Sequence, residues 1–578
     1  MGPPTIGYSN LMATNTTSKE TSFDYIVLGT GLIESILAGS LARVGKKVLH
    51  LDSHQNYGGN WSVFGFRELV QWHLERNKGD TAEIKEGDLS IDYEYNYASN
   101  FRNVELQVYN TNLASSEGEN TRSAIEEGSY KELIPKTLFA QDQQLVDAHF
   151  SDLTHENISE KLPQIRTFVE LLNKSRSYNL DTTPKLLGTR EDLVETLIRS
   201  GVGRYLEFKN VDDIFIFDKA SRALEKVPSS KEDVFTNKSV SLIEKRKLMK
   251  FLTFAMELNE QQEDNPLLQN TEDMSYCQFL QEKFKITGKL QEAIVYAIAL
   301  VDEKASVKEG LDSTHRFVQS MGRFGKGAYL CPLYGGASEI AQAFCRVCAV
   351  YGGIYILNQP LDRFVVDKET GECTGIITKE GQEYKCSQLI TGMDYLNASS
   401  LPIRDGHTGA ILVTDTRLES RDAKQYLAEP LSYCVFPPGS EAGNTDEPIY
   451  GIQQNDESMA CLRGQYVTYL WTASKDDSVL KKAVDLLMEK KPTVTEDEDN
   501  NREFTKLITV YYDQYVRNAQ SLQASWKPPF KNVVVCSDPD VSLDFRSAFA
   551  EAKSLFSQCE PVDAEFMPAA EQEPEDED

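Results

Sequence analysis

The segment "DYIVLGTGLIESILAGSLARVGKKVLHLD", Asp24 to Asp52, narrows the possible folds more than any other stretch of the chain. "YIVLG" is a short apolar run ending in glycine. Ile33, Leu37 and Leu41 recur at helical spacing, and "KKVLHLD" is a second apolar run. That order predicts strand, tight turn, helix, strand, the opening of a dinucleotide-binding unit. Gly29 and Gly31 stand where the turn needs glycine, and Asp52 ends the second strand where a ribose-binding acid belongs. The third glycine position holds Glu34, which forfeits the close helix–strand packing that glycine permits. Its carboxylate also sits in the helix's first turn, where the dipole would otherwise favour a phosphate.

Two further segments repeat this half-kept pattern. "DSHQNYGGN" carries Gly58 and Gly59 six and seven residues after Asp52. It resembles the acid-to-Gly-Gly motif of two-dinucleotide-binding flavoproteins, which usually have arginine two positions before the glycine pair. Asn56 stands there instead. Near the other end, "VVVCSDPD" resembles a strand ending in Gly-Asp at a flavin ribityl chain, with Ser537 replacing the glycine before Asp538. With all three motifs altered, the expectation is a retained fold that binds no cofactor.

Composition restricts partners. The net charge is -29 over 578 residues, so a nucleic-acid backbone is repelled and no nucleic-acid partner is expected. The first twenty residues are polar and make no signal peptide, and Ile6 breaks the myristoylation pattern. No stretch approaches the roughly 18 apolar residues of a membrane span, and a cytoplasmic protein is expected. The ten cysteines are scattered, as reduced thiols would be, and the closest pair, Cys345 and Cys348, has no second pair to complete a metal site.

The chain divides by texture. After a polar stretch over 1–22, residues 23–103 continue the dinucleotide-binding pattern, and 104–165 read as a polar insertion with mobile parts. Strands and helices resume over 166–219. Residues 220–320 read as an all-helical second domain, with wide apolar faces in "SLIEKRKLMKFLTFAME" and "LQEAIVYAIALVDE". Strands and helices alternate again over 321–560, and 561–578 read as an acidic tail. The fold class is therefore α/β: a multi-sheet, FAD/NAD-binding-like first domain with an inserted helical domain.

"LGTGLIESILAG", "KKVLHLDSHQNYGGNW", "GRYLEFK", "EKRKLMKFLTF", "GRFGKGAYLCPLYGG" and "CAVYGGIYILNQP" together resemble the Rab escort protein and GDP-dissociation inhibitor family, in order and in spacing, across most of residues 23–400. The resemblance implies a flavin-monooxygenase-like fold, no enzymatic activity and binding of GDP-bound Rab GTPases. The polar insertion favours the escort branch, which adds three partners: the α/β heterodimer of Rab geranylgeranyltransferase, the geranylgeranyl lipid of the Rab, and, transiently, the membrane. A dissociation inhibitor without transferase support and a flavin oxidoreductase are the alternatives. One departure stands out: "PLYGGASEIAQ" lacks the leucine and proline of the family's usual "PLYG-G-ELPQ".

By resemblance, a Rab-binding platform falls on Tyr57, Glu339, Arg346, Ile354 and Ile356. The residues give part of this set a physical sense. "SEIAQAFCRVCAVYGG" reads as a helix with Ser338 as a candidate cap, and Glu339, Gln342 and Arg346 share one face opposite Ile340, Phe344 and Val347. Ile354 and Ile356 lie on one side of the following strand. The same resemblance puts the transferase contact on Phe235 and Arg246, eleven residues apart. Arg246 lies on a helix whose Leu242, Leu248, Met249 and Leu252 are expected to face inward. A lipid-accepting pocket is expected within the helical domain.

Overall fold

The computed structural model describes residues 21–76, 92–94, 99–109, 140–154, 157–211, 213–228, 241–258, 265–396, 405–415, 431–474, 476, 478–489, 505–519, 530–561 and 563–570. The opening segment folds as its pattern predicts. The strand Ser22–Leu28 pairs in parallel with Val48–Leu51 on one side and with Glu383–Gly392 on the other. Ile354–Ile356 extends the sheet beyond Val48–Leu51, and Val533–Cys536 pairs in parallel with the last part of Glu383–Gly392. An antiparallel excursion, Cys373–Thr378, Leu361–Val366 and Asp92–Glu94, takes the other part. All eight strands form one mixed sheet.

The helix Leu32–Arg43 lies against that sheet. It is buried from Leu32 to Ala42, because the helices Gly336–Val350 and Arg546–Cys559 pack against it. A helix apolar on nearly all sides suits this sandwiched position. The packed structure runs on through Ala570: Met567 is buried, and the Phe566 ring meets Phe549 and Phe556 edge-on.

A second eight-stranded sheet runs in the order Ala223–Lys226, Asp213–Asp218, Ser432–Phe436, Ile449–Asn455, Tyr466–Thr472, Asp405–Thr414, Lys506–Val516 and Phe101–Val108. Only the pairing of Asp213–Asp218 with Ser432–Phe436 is parallel. Residues 104–165 thus begin inside an edge strand of this sheet, and they also contain the helix Ala140–His149.

Between the strands of this sheet the chain builds its helices: Leu242–Glu257, Tyr276–Phe284, a π-helical turn at Ala293–Ile298, and Val307–Ser320. Ser241 with Glu244, and Ser275 with Gln278, close capping boxes at the first two. Phe251, Phe254, Phe279 and Phe284 form an aromatic cluster among these helices. The same apolar core runs on into the second sheet through Tyr433 and Ile452, so the helices are anchored to it. Leu248 is buried, and Met249 and Leu252 pack against the core as expected. Leu242 does not: it is 76% exposed, because the helix's first turn projects past the core.

One packing feature carries a pH prediction. The His149 ring stacks on Phe168, with centroids 4.7 Å apart, and lies 5.9 Å from the His73 ring. Burial, then the neighbouring His73, holds its pKa down at about 4. The unfolded chain therefore binds more protons than the folded one between about pH 6.5 and 4. Stability should be complete above pH 6.5 and fall by on the order of 1–3 kcal/mol as pH drops toward 4. Urea denaturation across that range should show the loss, and His149→Phe should flatten it.

Candidate functional site

The cleft where a dinucleotide would lie is bounded by Gly29, Gly31, Glu34, Gly59, Asn60, Trp61, Gly392, Met393, Asp394 and Ser537 to Pro539. Its free volume is about 10 Å³, roughly one water molecule. The acids that would hold a cofactor are taken by protein donors. Asp52 Oδ2 accepts from the Thr30 amide at 2.7 Å and the Thr30 hydroxyl at 2.6 Å. Its Oδ1 accepts from the His54 amide at 2.8 Å and the Tyr395 hydroxyl at 3.2 Å, and lies 2.9 Å from His54 Nδ1. Despite burial, these contacts hold Asp52 below the usual carboxylate range.

Asp538 is closed in the same way. Arg517 grips it through Nε at 2.5 Å and a second nitrogen at 3.0 Å, while Asn60 donates at 2.7 Å. The Tyr395 ring covers the turn: a Cβ on Gly29, whose φ is +95°, would meet it at 3.2 Å. Glu34 is buried against Gly31 and Gly392, and burial followed by the nearby Asp394 pushes its carboxyl well above the carboxylate range. Asp394 itself is pushed up to about 6, chiefly by burial. These residues do not fit a flavin: its pyrophosphate would collide with Glu34, and its ribose and ribityl partners are already engaged. Gly58 keeps a structural role, its amide donating to the Thr30 carbonyl at 3.1 Å.

The opposite side of the glycine pair faces outward. A Cβ on Gly58 would lie 3.1 Å from Ser338, so the Tyr57 loop abuts the start of the helix Gly336–Val350. That helix starts before Ser338. Gly335 is its cap residue, and the Ser338 hydroxyl instead donates back to the Gly335 carbonyl at 2.9 Å. Gly336 must be glycine on two counts: φ is +54°, and a Cβ would fall 2.2 Å from Asp181 Oδ2.

On this helix Ile340, Phe344 and Val347 are buried, and Gln342 and Arg346 are exposed. Glu339 is half-buried, and burial raises its carboxyl pKa. Tyr57 meets Tyr355, with ring centroids 6.3 Å apart, and its phenol is pushed up by burial and then by a hydrogen bond to Tyr355. The strand Ile354–Ile356 therefore turns Tyr355 outward, while Ile354 and Ile356 share the other face, half-buried against the core. Arg346 is not a free surface charge. Its guanidinium stacks on the Tyr205 ring at 4.3 Å, and Tyr205 comes from the short helical turn Val202–Tyr205. Tyr205 and Tyr355 are the two members of this surface that sequence reasoning missed, although "GRYLEFK" and "IYIL" both contain the signal.

Of the second expected contact, Phe235 lies outside the described residues. Arg246 is exposed on the helix Leu242–Glu257, one turn beyond the exposed Leu242 and Ile243. No group of three or more potential metal ligands occurs among the described residues.

The structure thus defines a dinucleotide-type fold whose cofactor cleft is filled by its own side chains and whose glycine loop supports an exposed aromatic and charged surface. Residues 19–104 and 134–415 match the family described as GDP dissociation inhibitor, and residues 408–541 match the family described as RAE1/2 domain I, C-terminal region. Rab proteins geranylgeranyltransferase component A 2 from Homo sapiens is 31% identical, over 95% of this chain and 92% of its own length. Rab proteins geranylgeranyltransferase component A from Drosophila melanogaster is 27% identical, over 95% and 90%. Among solved structures, a RAB GDI from Plasmodium falciparum superposes with a TM-score of 0.61 at 18% identity, over 93% of this chain and 98% of its own. The chain belongs to the GDP dissociation inhibitor family, in the branch formed by the component A proteins of Rab geranylgeranyltransferase.

Proposed function

We propose that this chain is a non-catalytic Rab escort protein. It binds unprenylated, GDP-bound Rab GTPases, presents them to the α/β heterodimer of Rab geranylgeranyltransferase, and carries the prenylated Rab through the cytosol to membranes. The observation that carries this reading is the near-full-length match to component A proteins. The filled cleft supports the absence of redox chemistry. Among the described residues, no helix is long and apolar enough to cross a membrane. The test is prenylation of a Rab by purified transferase with and without this chain. Prenylation that depends on the chain supports the proposal. Extraction of prenylated Rab from membranes without any support of the transferase would favour a dissociation inhibitor instead.

The Rab platform is proposed on Tyr57, Glu339 and Arg346, with Ile354 and Ile356 beneath the sheet edge. Its chemistry suits an interface centre: aromatic anchors beside an arginine already held in place by a stacked ring. Arg346→Ala and Tyr57→Ala should each weaken GDP-bound Rab binding by about 2 kcal/mol, roughly thirtyfold. Arg346 is exposed, so its loss should cost no more stability than the ~1 kcal/mol of its stacking on Tyr205. Titration calorimetry at wild-type affinity for both variants would show that the platform lies elsewhere.

The geranylgeranyl chain is proposed to enter the helical region. In the structure the rings of Phe251, Phe254, Phe279 and Phe284 pack edge-on or tilted against one another. Lipid entry there means moving these rings apart. Each buried CH₂ of the isoprenoid returns about 0.8 kcal/mol toward that cost.

A further inference from the structure

A cleft of about 60 Å³ opens where the helical region meets the first domain. That is room for several water molecules or one small ion. It is bounded by the turn at Gly188, Arg190 and Glu191, by Ile298 to Leu300, by the helix Val307–Ser320, and by Asp544 and Arg546. Its wall is unusual in its backbone. Leu300 lies two residues past the π-helical turn and has φ of +54°, a conformation that costs a leucine on the order of 1–3 kcal/mol.

Three guanidinium groups line this cleft, and they are partnered unequally. Arg190 Nε donates to the Gln319 carbonyl at 2.8 Å. Arg546 Nε pairs with Asp544 Oδ2 at 2.7 Å. Arg316 has no ion pair among the described residues, and its hydrogen bond goes to the Ser313 hydroxyl at 2.7 Å. Burial, then the positive charge of Arg546, lowers the Arg316 pKa, against the opposing pull of Asp312 and Asp544. At the floor, Glu191 Oε2 is buried and has no hydrogen-bond partner. Burial, then the adjacent Asp544, pushes the Glu191 carboxyl well above the carboxylate range, which makes it a hydroxyl donor.

Two unmet requirements therefore converge on one space: Arg316, with no ion pair among the described residues, and the unused acid hydroxyl of Glu191. A ligand with several acceptor oxygens and negative charge answers both. We propose that this cleft binds a phosphate-sized oxyanion, gripped by Arg316 and Arg546 and receiving a hydrogen bond from Glu191. The bound ion would tie the helix Val307–Ser320 to the turn at Glu191 and to the helix Arg546–Cys559, and so would stiffen the seam between the helical region and the first domain.

The test is direct binding to the full chain, independent of any Rab. Inorganic phosphate is titrated calorimetrically and by thermal shift, against sodium chloride at matched ionic strength. Saturable binding of one phosphate per chain is expected, with a rise in melting temperature that chloride does not give. Arg316→Met should weaken phosphate binding by about tenfold or more. Glu191→Gln keeps a donor at the floor and should stay within about threefold of wild type. Arg323→Met, which removes a nearby arginine paired with Glu195 outside the cleft, should bind as wild type does. If Arg316→Met fails to fold, Arg316→Lys keeps the charge without the planar fork and should show a partial loss. Absence of saturable binding, or equal losses in the Arg316 and Arg323 variants, overturns the proposal.

Discussion

Replacing Arg517 by methionine is expected to lower the unfolding free energy by about 3–5 kcal/mol, the usual result of stripping one partner from a buried ion pair. Arg517 and Asp538 expose only 6% and 1% of their side chains. The pair is bidentate, and the Arg517 amide adds a third bond to Asp538 at 3.1 Å. Without the guanidinium, Asp538 keeps Asn60 and the residue-517 amide but must bury its charge near Asp394 and Glu34, in a cleft with room for about one water. The control is the double variant Arg517→Met with Asp538→Asn, which removes the charge together with its partner. It should recover a substantial part of the loss. Urea denaturation followed by tryptophan fluorescence measures both, with Trp61 lining the cleft. A cost below about 1 kcal/mol for the single variant would mean that water reaches Asp538 and the cleft is not closed.

The same cleft shows which parts of this molecule can be read in one dimension. The strand–turn–helix–strand unit is local, so an apolar run, two glycines and a 3.6-residue period suffice to place it. Glu34 alone announces that phosphate is unwelcome. What fills the cleft is non-local. Tyr395 reaches Asp52 across 343 residues, and Asn60 reaches Asp538 across 478. No periodicity encodes those contacts, so the ribose-binding acid looks available in the sequence and is engaged in the structure.

The exposed surface follows the same division. Helical spacing correctly put Ile340, Phe344 and Val347 inside and Arg346 outside, because the helix Gly336–Val350 is covered on one side only. Spacing could not supply Tyr205, which approaches Arg346 from a turn 141 positions earlier. It also misled at Ser338, where the glycine pair starts the helix and the hydroxyl bonds backward. Leu242 is a different kind of miss. Amphipathic patterning assumes that a helix is covered along its whole length, whereas this one begins beyond the core it serves.

That projecting turn bears on the last expected result: Phe235→Ala combined with Arg246→Ala should abolish stimulation of Rab geranylgeranylation while leaving Rab binding nearly unchanged. Phe235 enters from the family resemblance alone. Arg246 has structural support. It is exposed, and it follows Leu242 and Ile243, exposed by 76% and 68%, at helical spacings of four and three. Two bare aliphatic side chains beside a guanidinium form a surface that can seat a partner's apolar group and grip its carboxylate. The capping box of Ser241 and Glu244 fixes this first turn, so the surface is preformed. The proposed Rab platform is on the helix Gly336–Val350 and the first sheet, with no side chain in common with this turn, so the two binding energies should be additive. A prenylation time course at limiting chain concentration, paired with a Rab titration on the same preparations, separates the outcomes. Wild-type prenylation by the double variant would place the transferase contact elsewhere. A parallel fall in Rab binding would show that the substitutions had disturbed the fold. Arg246→Ala alone should give an intermediate loss of stimulation, because it removes the guanidinium and leaves Leu242 and Ile243 in place.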